Sequence, residues 1–206
     1  EGPRLFTFRV SPQPGEMVRQ NNVRQSLVVV EDREEKLLYF EGEPRFEVKF
    51  LRRAVADDEN LHVSILQRTA ENKFMRLDVE GPDDLVGGFP RTRAELFKYK
   101  GIILGSIEAN YFAPDQLQMI ADFVDHRGGG LLMLGSHRSF GQGGYAGTPV
   151  ADVLPVVLDE ARGEGDESFF VEVGVEPTRA GASHAATQIA ETEDASAARW
   201  RELPPI

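Results

Sequence analysis

The chain has 206 residues, enough to bury the core of one medium-sized domain. Its net charge is -11 and its basic residues are dispersed among acids, which excludes the clustered Lys/Arg footprint of a nucleic-acid binder. Cysteine is absent, which excludes disulfides, thiolate metal sites and cysteine nucleophiles, and no apolar run approaches the roughly 20 residues that span a bilayer.

Leu5–Val10 and Val23–Val30 are strand-like and are separated by Pro/Gly and Asn-Asn turn signals, which predicts a β-hairpin. An isolated hairpin is marginal in water, so the pair belongs either to a truncated β-sandwich or to the edge of a larger sheet. The acidic run Glu31–Lys36 reads as a solvated connection. From Leu37 strands and helices alternate. Leu37–Phe40 is a buried strand, and Pro44 fits the first turn of a helix. Phe46, Phe50, Leu51, Ala54 and Val55 recur at helical spacing on it. Leu61–Leu66 returns to strand, residues 74–88 read as irregular, and Ala94–Tyr99 as a short helical piece. Gly101–Leu104 is a further strand. Pro114 opens a strong helix with Leu117, Ile120, Ala121 and Val124 on one face, and Leu131–Leu134 follows as a strand. This order predicts an α/β fold with the four apolar strands as adjacent central members of a mainly parallel sheet, covered on both faces. Phe169–Val173 reads as a possible strand. Trp200 either packs the tail down or belongs to a continuation of the chain. Residues 1–35 thus form a hairpin remnant with its linker, and residues 36–206 the α/β domain.

The segment Arg127–His137 (RGGGLLMLGSH) carries a glycine turn, a buried strand and a second turn of small and polar residues. In hydrolytic α/β folds such a step presents a nucleophile at the carboxyl edge of the sheet, and here Met133 fills that position. Three polar groups fall at this edge. Glu41, Glu43, Arg45 and Glu47 follow the first strand, either as a binding pair or as acids that favour a helix N-terminus. Ser106, Glu108, Asn110 and Tyr111 follow Gly101–Leu104, as ligand-facing residues or as a plain loop. Ser136, His137, Arg138 and Ser139 are the densest set. A Ser beside a His invites a hydrolase reading, but adjacent side chains point apart; an anion pocket built from loop amides and Arg138, or simple loop structure, are the other readings. His62 falls on a strand and His126 at a helix C-terminus, and no spacing suggests a metal. Gly141, Gly143, Gly144 and Gly147 give a loop backbone freedom without the Lys-Ser/Thr of a phosphate loop.

The stretch LLYFEGEPRFEVKFLRRAV, followed by YKGIILGSIEANYFAPDQLQMIADFVDHRGGGLLMLGSHRSFGQGGYAGTPVADVLPV, resembles the class I glutamine amidotransferase-like superfamily. Within it, the likeness is to the amidotransferase-like domains of large bacterial membrane proteins that often carry von Willebrand-type segments. The resemblance implies a flavodoxin-like three-layer sandwich, preceded by an immunoglobulin-like sandwich of which the hairpin is the end. It also implies a Cys-His-Glu triad, whose cysteine falls on Met133. The late H-x-E of that triad is lost, because His184 is followed by Ala185-Ala186. The expectation is a catalytically inactive binding or structural module, without cofactor or metal, in a membrane-anchored bacterial protein and on its extracytoplasmic side. The abrupt start at Glu1 reads as a cut from a longer chain, so its partners are neighbouring domains of the same polypeptide, with no insertion of this piece into the membrane. A small anionic or polar ligand would sit among Glu43, Arg45, Ser106, Ser136, His137 and Arg138. The alternative is a hydrolase or transferase with a non-cysteine mechanism, in which Ser136, His137 and Glu43 converge.

Overall fold

The computed structural model describes residues 2–30, 34–71, 73–158 and 172–205. They divide into two compact units, Glu1–Ala161 and Arg162–Ile206. The expected hairpin is present: β1 (Gly2–Arg9) pairs antiparallel with β2 (Val23–Val30) as a separate two-stranded sheet, not as an edge of the main one.

The main sheet contains β3 (Glu35–Glu41), β4 (Leu61–Ala70), β5 (Lys73–Leu77), β6 (Gly101–Leu104) and β7 (Gly130–Met133), in the order β5-β4-β3-β6-β7. All neighbours are parallel except β4 and β5. Helix α1 (Phe46–Val55) connects β3 to β4, and the capped single turn α2 (Arg93–Leu96) precedes β6. Helix α3 (Pro114–Asp125) joins β6 to β7, and α4 (Pro149–Asp152) follows. The result is an α/β architecture consistent with a flavodoxin-like fold. Alternation along each strand sends Leu38, Phe40, Leu66, Ile102 and Leu104 into one core with Leu117, Ile120 and Phe123 of α3. Tyr39, Val63, Ile65 and Ile103 point the other way and pack with Val48 of α1. In the second unit, α5 (Glu193–Glu202) is tied down by Trp200, whose indole N–H donates to the Thr187 carbonyl at 2.7 Å.

Several expectations need correction. The helix after β3 starts at Phe46, not Pro44, because Arg45 stays extended as its N-cap and sends its side chain back to Glu41. Its sheet-facing stripe is Val48, Leu51 and Val55, at i, i+3 and i+7; Phe46 and Phe50 are 78% and 61% exposed. The region read as irregular contains β5, an edge strand whose Lys73 and Arg76 mask its apolar alternation. Glu35 and Lys36 belong to β3 rather than to the acidic connection, of which residues 31–33 lie outside the described residues. Among the described residues β7 is an edge strand, not a central one, and Leu132 is 51% exposed on the α1 side of the sheet. Most of the possible strand at 169–173 also lies outside the described residues.

Candidate functional site at the carboxyl edge of the sheet

From β3 the chain goes first to β4 on one side and later to β6 on the other, so strand order reverses between β3 and β6. In open α/β sheets that reversal opens a crevice beyond the carboxyl ends. Two residues of β3 point to the same side there, Tyr39 and Glu41, and Glu41 is fully buried. A buried carboxylate is tolerated only when its lone pairs are met. The Tyr39 hydroxyl donates to Glu41 Oε2 at 2.6 Å. Arg45 Nε and Nη2 donate to the same oxygen at 3.0 and 2.9 Å, and the Ser106 N–H donates to Oε1 at 2.8 Å. Burial, together with the hydrogen bond to Glu41, pushes the Tyr39 phenol far up. Burial opposes the charge of Arg45, but Glu41 outweighs it and raises the guanidinium pKa.

The two loops touch so closely that side chains are excluded. A Cβ on Gly42 would lie 1.9 Å from the Ser106 carbonyl oxygen, and one on Gly105 would lie 2.3 Å from Glu41 Oε2. Beyond them, the Ser106 hydroxyl donates to Glu43. Arg68, at the end of β4, donates to the Gly42 carbonyl at 3.0 Å and holds Glu108 through two bonds of 2.9 Å. Arg138 approaches the same carboxylate at 3.8 Å. Burial alone would raise the Glu108 carboxyl, but the Arg68 hydrogen bonds and the charges of Arg68 and Arg138 hold it below the usual range. Glu43, Arg68, Glu108 and Arg138 line an open cleft of about 390 Å³.

The loop after β7 is stapled under this cleft. Ser139 is buried, and its hydroxyl bonds the Leu134 carbonyl at 2.7 Å and the Ser136 hydroxyl at 2.9 Å. Arg45 Nη1 donates to the Gly135 carbonyl at 3.4 Å, which joins the first and last loops. The Tyr145 hydroxyl, fully buried, donates to the Ile107 carbonyl at 2.9 Å. A Cβ on Gly143 would meet the Arg138 carbonyl oxygen at 2.2 Å, so the chain can pass there only as glycine. Met133 lies in extended β7 and faces the α3 core. Its thioether accepts the Phe140 N–H at 3.4 Å. Phe140, and not Met133, has the positive φ, 52°.

The structure therefore brings Glu43, Arg45, Ser106, Ser136 and Arg138 to one end of the sheet, with Glu43 and Arg138 on the cleft itself. His137 is exposed there and, among the described residues, has no hydrogen-bond partner. Ser136 bonds Ser139 and the Arg138 N–H rather than His137 or Glu43. Ser106 is fully buried and its hydroxyl is committed to Glu43. Sequence reasoning passed over Tyr39 and Arg68, and it placed Glu41 and Glu108 at this edge without choosing them for the pocket. The signal for Tyr39 and Glu41 was their i, i+2 spacing at a strand end, which puts both on one face. Arg68 gave none, since nothing local marks its distant partner Glu108. Among the described residues, no group of three or more His, Asp or Glu is placed to hold a metal ion, and no helix is long and apolar enough to cross a membrane. Chemically the edge offers guanidinium donors and carboxylates for polar recognition.

A family model described as "Putative glutamine amidotransferase" matches residues 56–192. No curated protein and no solved structure matches the chain.

Proposed function

The chain belongs to this glutamine amidotransferase-like family, and because it has no cysteine and the resemblance puts Met133 at the nucleophile position, we propose that it is a catalytically inactive module that binds a small anionic or polar ligand at the carboxyl edge. The observation that carries this reading is the Met133 side chain. A thioether has no proton to lose, and this one is buried in the α3 core on an extended strand, away from the cleft. The late histidine supports the same reading: His184 Nδ1 accepts the Ala186 N–H at 3.1 Å, a local turn contact.

The ligand would take its orientation from Arg138, the less buried of the two guanidiniums on the cleft, while Arg68 holds Glu108 in place. Hydrogen bonds between a guanidinium and a carboxylate or sulfate are short and directional, which suits a pocket that recognises without turning over. On the strength of the resemblance, the module would serve a larger membrane-anchored bacterial protein on its extracytoplasmic side. There the hairpin β1–β2 would continue a preceding immunoglobulin-like sandwich.

The test is ammonia release from glutamine by the purified domain, followed across the pH range in which it stays folded. Release at background supports the inactive reading. Turnover that disappears in Ser136→Ala would overturn it in favour of a hydrolase with a non-cysteine mechanism.

A further inference from the structure

A second groove lies away from the carboxyl-edge cleft, between α1 and the β4–β5 side of the sheet. Its volume is about 800 Å³, within the range of small-molecule sites. Val63 and Gln67 of β4 lie on its floor, and Val48, Lys49 and Arg53 of α1 on its wall.

Gln67 is the informative residue. It pairs in register with Glu41, so it points to the α1 side of the sheet, and it is only 6% exposed. Among the described residues its side-chain amide has no hydrogen-bond partner. An amide that faces a groove without a protein partner keeps its hydrogen-bonding capacity for whatever enters. Nor is this amide sealed in the protein: among the described residues, no fully buried side-chain nitrogen or oxygen lacks a partner. The Gln67 carboxamide therefore opens into the groove, with two donors and one acceptor to offer.

The charges point the same way. Lys49 and Arg53 stand four residues apart on α1, where like charges repel, and neither has an ion-pair partner among the described residues. The two other guanidiniums of the groove are already paired. Arg45 is held by Glu41, and Arg52 by Asp78 through bonds of 2.6 and 2.9 Å. Glu34 faces His62 at 3.7 Å, and Asp58 accepts the Asn60 N–H at 2.9 Å. Glu34 and Asp58 keep negative charge in the lining, so the cations free to meet an anion are Lys49 and Arg53, which stand beside the apolar wall and the Gln67 amide.

We propose that this groove binds a small organic anion, a carboxylate or phosphate carrying an apolar body. Lys49 and Arg53 supply the counter-charge, Gln67 the inner hydrogen bonds, and Val48 and Val63 the apolar surface. The site is separate from the carboxyl-edge cleft and does not depend on the absence of catalysis.

The experiment follows the Gln67 side-chain amide resonances of the whole chain during titration with phenyl phosphate, phenylacetate and inorganic phosphate, with sodium chloride at matched ionic strength. At least one aromatic anion should shift them saturably and bind about tenfold more tightly than inorganic phosphate. The tighter of the two identifies the headgroup. Lys49→Met and Gln67→Leu should each weaken binding at least about fivefold, and Arg138→Ala should leave it unchanged. Lys49 is exposed, so its variant decides the matter even if Gln67→Leu does not fold. Shifts that never saturate, or saturation unaffected by Lys49→Met, would overturn the assignment.

Discussion

The Ser106 N–H donates to Glu41 Oε1 at 2.8 Å across 65 residues of sequence, and this bond closes the point at which the sheet reverses its strand order. It gives the buried Ser106 N–H its acceptor, an oxygen that also accepts the Glu43 N–H at 3.4 Å. It also ties the loop after β6 to the buried carboxylate that holds Arg45.

Removing one partner from a buried ion pair leaves the other charge uncompensated, at a cost of about 3–5 kcal/mol. Arg45→Met is expected near the lower end of that range, because Tyr39 and the Ser106 N–H continue to meet Glu41. Urea unfolding measures it. A loss below about 1 kcal/mol would mean that Glu41 does not depend on the guanidinium.

Placing a thiol at the degenerate position should not create an amidase. Met133 faces the α3 core from an extended strand, so the sulfur of Met133→Cys would be buried and aimed away from the cleft. Ammonia release from glutamine is expected to stay at background, and labelling by a thiol reagent to be slow until the protein unfolds. Rapid labelling of the folded variant would show that the strand end opens.

Arg138→Ala tests the carboxyl-edge cleft. Losing one charge-assisted hydrogen bond of roughly 1.5 kcal/mol weakens binding of sulfate or succinate about tenfold. Calorimetric titration of both proteins gives the ratio. Equal affinities would remove Arg138 from the recognition of anions.

Glu108 makes stability depend on acid. Its folded pKa is held below the unfolded value, so its contribution is complete above the ordinary carboxylate range and is lost as pH falls through the folded pKa. In Glu108→Gln the drop in urea midpoint below about pH 4 should be shallower than in the parent chain. Parallel pH profiles of the two proteins would sink this if both fell equally.

The strands were readable because each is a short apolar run bounded by turn residues, and parallel pairing then requires their polar sequels to share one edge. The edges of the sheet were less readable. The charges that protect β5 from foreign pairing also hide it from a search for alternation, and nothing in Leu131–Leu134 shows that β7 has, among the described residues, a neighbour on one side only. On α1, Phe46 and Phe50 offered a persuasive stripe at i, i+4, yet the sheet takes the smaller Val48. The polar core at the edge depends on pairs such as Arg68 with Glu108, which only the folded topology brings together. Spacing along the chain carries no record of such pairs.

The sheet order also bears on synthesis. β3 is made first among the strands of the main sheet but lies at its centre, with β4 on one side and β6, ending at Leu104, on the other. Leu38 and Phe40, fully buried in the finished domain, therefore wait for residues made much later. At ribosomal rates of about 5–20 residues per second that interval is roughly 3–13 s. For that time the nascent chain carries the aliphatic-aromatic run Leu37–Phe40 with no β6 beside it, open to pairing with any other strand edge within reach.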